Sequence, residues 1–142
     1  MSPNELIEAK IATIADRVKR LKGFADIAYS NFSESSDTKD IVERNLQVAI
    51  EACLDIGKII ISEMNLREPS DNKGVFNVLV ENGIISDESL SFLIPMAGTR
   101  NVLVHGYDKI DDTIIFGILK KHLDDFSRFV GEINKNYLKN YL

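Results

Sequence analysis

Apolar residues recur at the spacing of an α-helix through nearly the whole chain, whereas signals of β-strands are almost absent. No stretch alternates polar and apolar residues for long, and the Asn82-Gly83 pair fits a helix end better than a hairpin turn. The helical pattern is clearest in two seams, one near each end of the chain, whose members step mostly by three or four residues. The seams consist of Ile7, Ile11, Ile14, Val18, Leu21 and Ala25, and of Ile115, Leu119, Phe126, Val130, Ile133 and Tyr137. We therefore expect an all-α fold.

The helices are expected to form an up-and-down bundle of four to five members, in one domain that spans residues 1–142. Ser2 and Glu5 predict a capping box at the start of the first helix. Capping and breaking residues predict helices at about 3–28, 41–64, 73–82, 86–105 and from 112 onward, with a Ser-rich loop over 30–39. The two seams either close the bundle or bind a second subunit, and the sequence does not separate these alternatives.

The second predicted helix is apolar on most faces, which indicates a central position in the bundle. Its odd polar members are Arg44 and Asp55, and each is expected to form an ion pair with a neighbouring helix. Cys53 lies in the same helix and has no second cysteine to pair with, so we expect a small core residue in a reducing compartment.

Composition and charge exclude several classes of protein. The chain has 142 residues, 44% hydrophobic and 27% charged, which is the balance of a soluble globular protein. Its net charge of −5 argues against a protein that coats nucleic acid through a basic surface. No apolar run reaches the roughly 18 residues that a membrane helix needs, and the N-terminus lacks the layout of a signal peptide. These features predict a cytoplasmic protein without a membrane segment.

Metal and cofactor signals are missing from the sequence. One cysteine and two distant histidines give no metal-ligand spacing, so we expect neither a metal nor a cofactor. Basic residues do cluster in two places, Arg17, Lys19, Arg20 and Lys22, and Lys120, Lys121, His122 and Arg128. Such clusters are usually solvated helix faces, and local patches that bind nucleic acid are the alternative.

The run from Gly98 to Tyr107 places four side chains that can handle a phosphate in an otherwise apolar segment. Arg100 offers a planar charged fork that matches phosphate oxygens, and a histidine such as His105 is the type of side chain that can take or give a proton. Asn101 and Tyr107 add neutral hydrogen-bonding groups. The pattern is typical of a functional site.

Helical spacing puts Asn101 and His105 on one face, while Arg100 starts well around the helix. Gly106 predicts the helix end, because glycine accepts the left-handed conformation that closes a last turn. The plain alternative is a surface Arg and His near a helix end, where the helix dipole favours the His. Against it, the apolar run Val102–Val104 predicts that the segment is at least half buried, and a half-buried Arg needs a partner.

This run resembles the signature of the HepT-like toxins, a branch of the HEPN-domain ribonucleases, in which an Arg, a polar residue, a short spacer and a His form the nuclease motif. The match continues through His105-Gly106-Tyr107 into Asp108, Ile110 and Asp111, and residues 43–57 look like the long second helix of that family. The similarity spans roughly residues 3 to 140 of the chain.

The resemblance implies a HEPN-like bundle that acts as a metal-independent endoribonuclease. Cleavage by attack of the RNA 2′-hydroxyl needs a base, an acid and positive charge near the phosphate. By resemblance, His105 is the acid-base residue, Arg100 is the phosphate clamp, and Asn101 orients His105 or the scissile phosphate. His122 is the only other histidine that could serve.

The resemblance also implies two protein partners. Family members are homodimers in which two motifs face each other, which would give each cleft two His and two Arg. They are silenced by an MNT-type nucleotidyltransferase antitoxin that attaches adenylate to the Tyr at the position of Tyr107. From the residues alone, Tyr107 could also be a wall for base stacking or a core aromatic.

Two other functions remain open at this point. The chain could be a non-catalytic helical binding module that pairs with a nucleotidyltransferase, which the acidic balance slightly favours. It could also be a purely structural dimerisation bundle, in which case the motif would tolerate substitution with effects on stability alone.

Overall fold

The computed structural model describes residues 1–106 and 110–141, and these residues form seven α-helices and two short 3₁₀ turns, with no strand. The helices are α1 (Pro3–Lys22), α2 (Tyr29–Glu34), α3 (Ser36–Glu63), α4 (Asn72–Glu81), α5 (Leu90–His105), α6 (Asp112–Lys121) and α7 (Leu123–Asn136). The 3₁₀ turns are Asp87–Ser89 and Leu138–Tyr141. The predicted all-α bundle is confirmed, although the expected count of four to five helices is too low.

Local signals account for most helix boundaries. Ser2 and Glu5 form the predicted capping box, since the Ser2 Oγ accepts from the Glu5 N–H at 3.1 Å and Glu5 accepts from the Ser2 N–H at 3.4 Å. Asp71 caps α4 in a similar way, and Gly83 follows α4 at a positive φ of 72°. The Asn-Gly pair is therefore a helix end, as predicted.

The first helix ends at Lys22, earlier than the predicted Ala28. The N–H groups of Gly23, Phe24 and Ala25 each donate to the carbonyl three residues earlier, so the chain turns in tight steps after Lys22.

Residues 30–39 are largely helical, so the predicted Ser-rich loop is wrong. Phe32 on α2 is fully buried and packs against Phe116 of α6, with ring centroids 5.8 Å apart. Ser35 ends α2 and its Oγ caps α3 by accepting from the Thr38 N–H at 3.2 Å. The tertiary contact of one aromatic residue outweighs the polar composition of its neighbours.

The predicted last helix is divided in two at His122. The backbone of His122 leaves the helical region, at φ −123° and ψ 6°, and its Nδ1 lies 2.8 Å from the Asp125 Oδ2. Neither glycine nor proline stands at the break, which explains why the sequence pattern appeared continuous.

The core is arranged around α3, as the all-round apolar pattern predicted. Helices α1, α2, α4, α5 and α7 all contact α3. Most members of both seams are buried within this chain, among them Ile7, Ile14, Leu119 and Ile133. The seams therefore close the bundle. Asp55 of α3 pairs with Lys10 of α1 at 3.2 Å, as expected, whereas Arg44 is exposed and lacks the expected ion pair among the described residues.

Among the described residues, no helix has both the length and the apolar character needed to cross a membrane.

The fold places two helices in close contact at Gly57, where α3 meets α4. A β-carbon at Gly57 would lie 2.5 Å from the Val75 Cγ1 and 3.3 Å from the Leu79 Cδ1. Val75 is β-branched and buried, so it has little freedom to move away.

We predict that Gly57→Ala destabilises the protein by about 1–2 kcal/mol, because overpacking outweighs the better helix propensity of alanine. The matched control is Gly131→Ala on α7, where nothing lies within 4 Å of the added carbon. That variant should gain about 0.5–1 kcal/mol. Thermal unfolding of both variants measures the difference, and a Gly57→Ala variant as stable as Gly131→Ala would contradict the packing described here.

Candidate functional site

The candidate site lies at the C-terminal end of α5. The Gly106 N–H donates to the Val102 carbonyl at 2.8 Å, which closes the last turn of the helix after His105. The predicted helix end is thus confirmed. The prediction that Gly106 adopts the left-handed conformation is wrong, because its φ is −128°. Its ordinary helical hydrogen bond to Val102 closes the last turn without that conformation.

The three candidate catalytic residues occupy two faces of α5. Asn101 and His105 stand one turn apart and both are exposed, as their spacing predicts. Arg100 is rotated by about 100° from Asn101 and points toward α3. Its side chain retains 25% of its exposure.

Arg100 has the partner that its burial demanded. Its Nε lies 3.6 Å from the Glu51 Oε1 of α3, and this nitrogen is buried without a hydrogen bond. Its Nη1 donates to the Asn101 Oδ1 at 3.5 Å. Two of the five guanidinium N–H groups thus face protein groups, which leaves three for an anionic ligand.

Asn101 is tied to a third helix. Its Oδ1 accepts from the Asn72 Nδ2 at 3.3 Å, and Asn72 is the first residue of α4. The first turn of α4 is itself stabilised by the cap in which Asp71 accepts from the Gly74 N–H at 2.7 Å. Since the Asn101 oxygen takes both donors, its amide N–H groups remain available on an exposed surface.

Lys73 brings a second cation to the edge of this cluster. A β-carbon on Gly98 would lie 3.8 Å from the Lys73 Cε and 4.0 Å from its Nζ, so the end of the lysine lies over Gly98, one turn before Asn101. Lys73 is exposed and has no ion pair within the described part of the chain.

The two histidines occupy different places in the fold. His105 is exposed at the end of α5, where its imidazole is accessible to a ligand. His122 instead borders a groove that α5 lines from Ser91 to Thr99, and its Nδ1 lies 2.8 Å from the Asp125 Oδ2 of α7. His122 is thus outside the cluster formed by Arg100 and Asn101.

Tyr107, the predicted site of adenylylation, lies outside the described residues. Among the residues that are described, no three His, Cys, Asp or Glu side chains are grouped so as to hold a metal ion.

Several members of the two basic clusters are occupied by contacts within the chain. Lys22 pairs with Asp124 at 3.3 Å and Arg20 pairs with Asp16 at 3.1 Å. Lys120 donates to the Ala25 carbonyl. These contacts favour the interpretation as solvated faces.

An apolar groove runs beside the motif between α5 and α6, with a volume of about 370 Å³. Val102 and Ile114 line it and are 38% and 55% exposed, which is high for large apolar side chains. Within the run Val102–Val104, which was expected to be at least half buried, Leu103 is buried and Val104 is half-buried, but Val102 is exposed.

Sequence reasoning missed the residues that hold the motif from other helices. Glu51 and Gln47 of α3 and Asn72 of α4 belong to this group. A signal existed for Glu51, since it is a carboxylate in a helix that is apolar on most faces. The contact of Glu51 with Arg100 could not be predicted, because it depends on how α3 and α5 pack.

Comparisons with known proteins agree on one family. A sequence model of the family described as "Ribonuclease HepT-like" matches residues 14–133. The mRNA nuclease HepT of Shewanella oneidensis strain MR-1 is 33% identical over 130 residues, covering 92% of this chain and 97% of that protein. The tRNA nuclease HepT of Aphanizomenon flos-aquae is 30% identical over 129 residues, with coverages of 91% and 88%.

Solved structures give the same result. The tri-AMPylated HEPN toxin of Shewanella oneidensis, solved in complex with an MNT antitoxin, superposes with a TM-score of 0.84 at 32% identity, covering 95% of this chain and 99% of that one. A toxin-antitoxin structure with AMP-PNP superposes with a TM-score of 0.85, also at 32% identity, with coverages of 92% and 98%.

Proposed function

This chain belongs to the HepT-like ribonuclease family, and on that premise we propose that it is a metal-independent endoribonuclease, the toxin of a HEPN/MNT toxin-antitoxin pair. The observation that carries the proposal is the contact of Arg100 with Asn101, anchored by two other helices, one turn before the exposed His105. The relatives named as nucleases of mRNA and of tRNA support RNA as the substrate.

The chemistry needs few groups because RNA carries its own nucleophile. A base removes the proton of the 2′-hydroxyl, the oxygen attacks the adjacent phosphorus, and an acid protonates the leaving 5′-oxygen. We assign proton transfer to His105, which is accessible, and charge stabilisation to Arg100, whose three remaining N–H groups match phosphate oxygens. Asn101 orients the phosphate through its free amide N–H groups. No step calls for a metal or a cofactor.

The cleavage needs both a base and an acid, whereas the cluster contains one histidine. A second copy of the motif would supply the second proton-transfer group. We propose a homodimer in which the α5 ends of two protomers meet. The exposed apolar groove with Val102 and Ile114 adjoins the motif and is the surface that such a contact would cover.

Tyr107 follows His105 by two residues in the sequence. The AMPylated state of the Shewanella toxin, in complex with its MNT antitoxin, supports a nucleotidyltransferase partner that adenylylates Tyr107. An added phosphate there would compete for Arg100 and block RNA by charge and bulk.

We further propose that residues 1–142 act as one domain in the cytoplasm. The family match over 14–133 and the packing of α1 against α3 and α7 support the single domain. The lone Cys53, buried and unpaired, fits a reducing compartment. The alternative function is a non-catalytic module that pairs with a nucleotidyltransferase, and the first experiment below separates the two.

The purified chain should cut single-stranded RNA at the same rate whether or not a metal chelator is present. His105→Ala should lower the rate by about 10²–10⁴-fold, and Arg100→Ala by about 10²–10³-fold. His122→Ala is the matched control and should cut like the wild type, because His122 pairs with Asp125 and not with a member of the cluster. Equal cleavage by wild type and His105→Ala would contradict the assignment, and intact RNA with the wild type would favour the non-catalytic module.

The chain should sediment as a dimer at micromolar concentration. Ile114→Lys places a charge on the apolar groove and should shift the chain toward monomer, with a parallel loss of RNA cleavage. The control is Ile41→Lys on α3, where an equally large side chain is 48% exposed away from the groove. A monomeric wild type in analytical ultracentrifugation, or an Ile114→Lys dimer as stable as the control, would contradict the proposed interface.

Co-expression with a partner nucleotidyltransferase should add adenylate to the chain and silence RNA cleavage. Intact-mass analysis measures the increment, which Tyr107→Phe should abolish. An increment that persists in Tyr107→Phe would place the modification elsewhere.

A further inference from the structure

Glu51 is a carboxylate in the middle of the central helix, between the buried residues Ile50 and Ala52. Its side chain keeps 36% of its exposure, and a charged group this close to the core requires compensating contacts. It has two. The Gln47 Nε2 donates to its Oε1 at 2.8 Å, and the Arg100 Nε lies 3.6 Å from the same oxygen.

Arg100 depends on Glu51 in turn. Its Nε is buried and has no hydrogen bond, so the nearest compensation for this edge of the guanidinium is the charge of Glu51. The Nη1 faces Asn101 on the other side. Fixing these two positions determines the plane of the guanidinium and leaves the remaining N–H groups to face outward.

Gln47 extends this arrangement by one turn of α3. A glutamate side chain has three rotatable bonds, and the bond from Gln47 restricts the conformations that Glu51 can adopt. The contacts thus form a continuous chain from Gln47 through Glu51, Arg100 and Asn101 to Asn72. It crosses from α3 to α5 to α4.

We propose that Glu51 is a positioning residue for Arg100, and that Gln47 holds Glu51 in the required conformation. The inference rests on the proposed function, in which Arg100 stabilises the charge that develops on the phosphate. Glu51 directs the guanidinium, and it also reduces the net positive charge at the cluster.

This combination gives a kinetic signature that a purely structural role would not produce. Removing the charge of Glu51 leaves Arg100 free to turn away from its productive orientation, so kcat should fall by on the order of 10- to 100-fold. The same change makes the cluster more positive, so binding of the RNA polyanion should stay equal or tighten, and KM should not rise.

The test compares Glu51→Gln with Asp55→Asn in RNA cleavage by the purified chain. Asp55 is the matched control because it lies one turn further along α3, is 43% exposed, and pairs with Lys10 on α1 and not with the motif. Glu51→Gln should lose kcat without a rise in KM, whereas Asp55→Asn should cleave like the wild type. In an Arg100→Ala background, Glu51→Gln should cost nothing further, since the residue it positions is gone.

Three results would overturn the positioning role. An increased rate in Glu51→Gln would mean that Glu51 competes with RNA for Arg100. A rate equal to that of Asp55→Asn would mean that Arg100 needs no positioning, and an undiminished loss in the Arg100→Ala background would mean that Glu51 acts elsewhere. Loss of cleavage in His105→Ala together with any of these results would leave the proposed function standing.

A second measurement tests the contact without using activity. The Arg100 Nε–H should give a slowly exchanging ¹⁵N–¹H signal, identified by its absence in Arg100→Ala, because the nitrogen is buried beside Glu51. Glu51→Gln should accelerate its exchange at least tenfold and Gln47→Ala should do so to a smaller extent, with no change in Asp55→Asn. An Nε–H signal that exchanges equally slowly in Glu51→Gln would overturn the inference even if the chain cut no RNA.

Discussion

Other helices pack around the middle of α3, residues 45–61, which is buried on most sides. Helix α3 has 28 residues, and twelve of them are buried. A helix this apolar is stable in water only when other helices cover it, which α1, α2, α4, α5 and α7 do. Close approach at Gly57 brings α4 near enough to α3 for its first turn to reach α5. The packing of the core therefore decides which residues meet at the motif.

The polar contacts at the edge of α3 connect this core to the candidate chemistry. Glu51 projects from the same helix that supplies the core, and it meets Arg100 where α5 crosses α3. Rigid elements therefore hold Arg100 and Asn101, while His105 stands exposed at the helix end. A site built in this way combines a guanidinium held by two helices with an accessible imidazole, and this is the arrangement that the proposed cleavage of a flexible polymer would require.

The sequence predicted the features that depend on short-range patterns. Apolar spacing predicted the all-α bundle and the central helix, and the capping box of Ser2 and Glu5 predicted the start of α1. The predicted helix boundaries were wrong where tertiary contacts determine the local structure. The burial of Phe32 makes α2 a helix in a polar segment, and the turn at His122 divides a continuous apolar pattern without a breaking residue. The exposed and half-buried faces of α5 were predictable from spacing, but the partner of Arg100 was not, because Glu51 is far from it in the chain.

Our main proposal is that the cluster of Arg100, Asn101 and His105 makes this chain a ribonuclease toxin. Its most direct test is to induce the chain in bacterial cells, wild type beside His105→Ala, and to follow growth while total RNA is separated on a gel. The expected result is growth arrest with fragmented RNA for the wild type alone. Normal growth with intact RNA in both cultures, at matched protein levels, would contradict it.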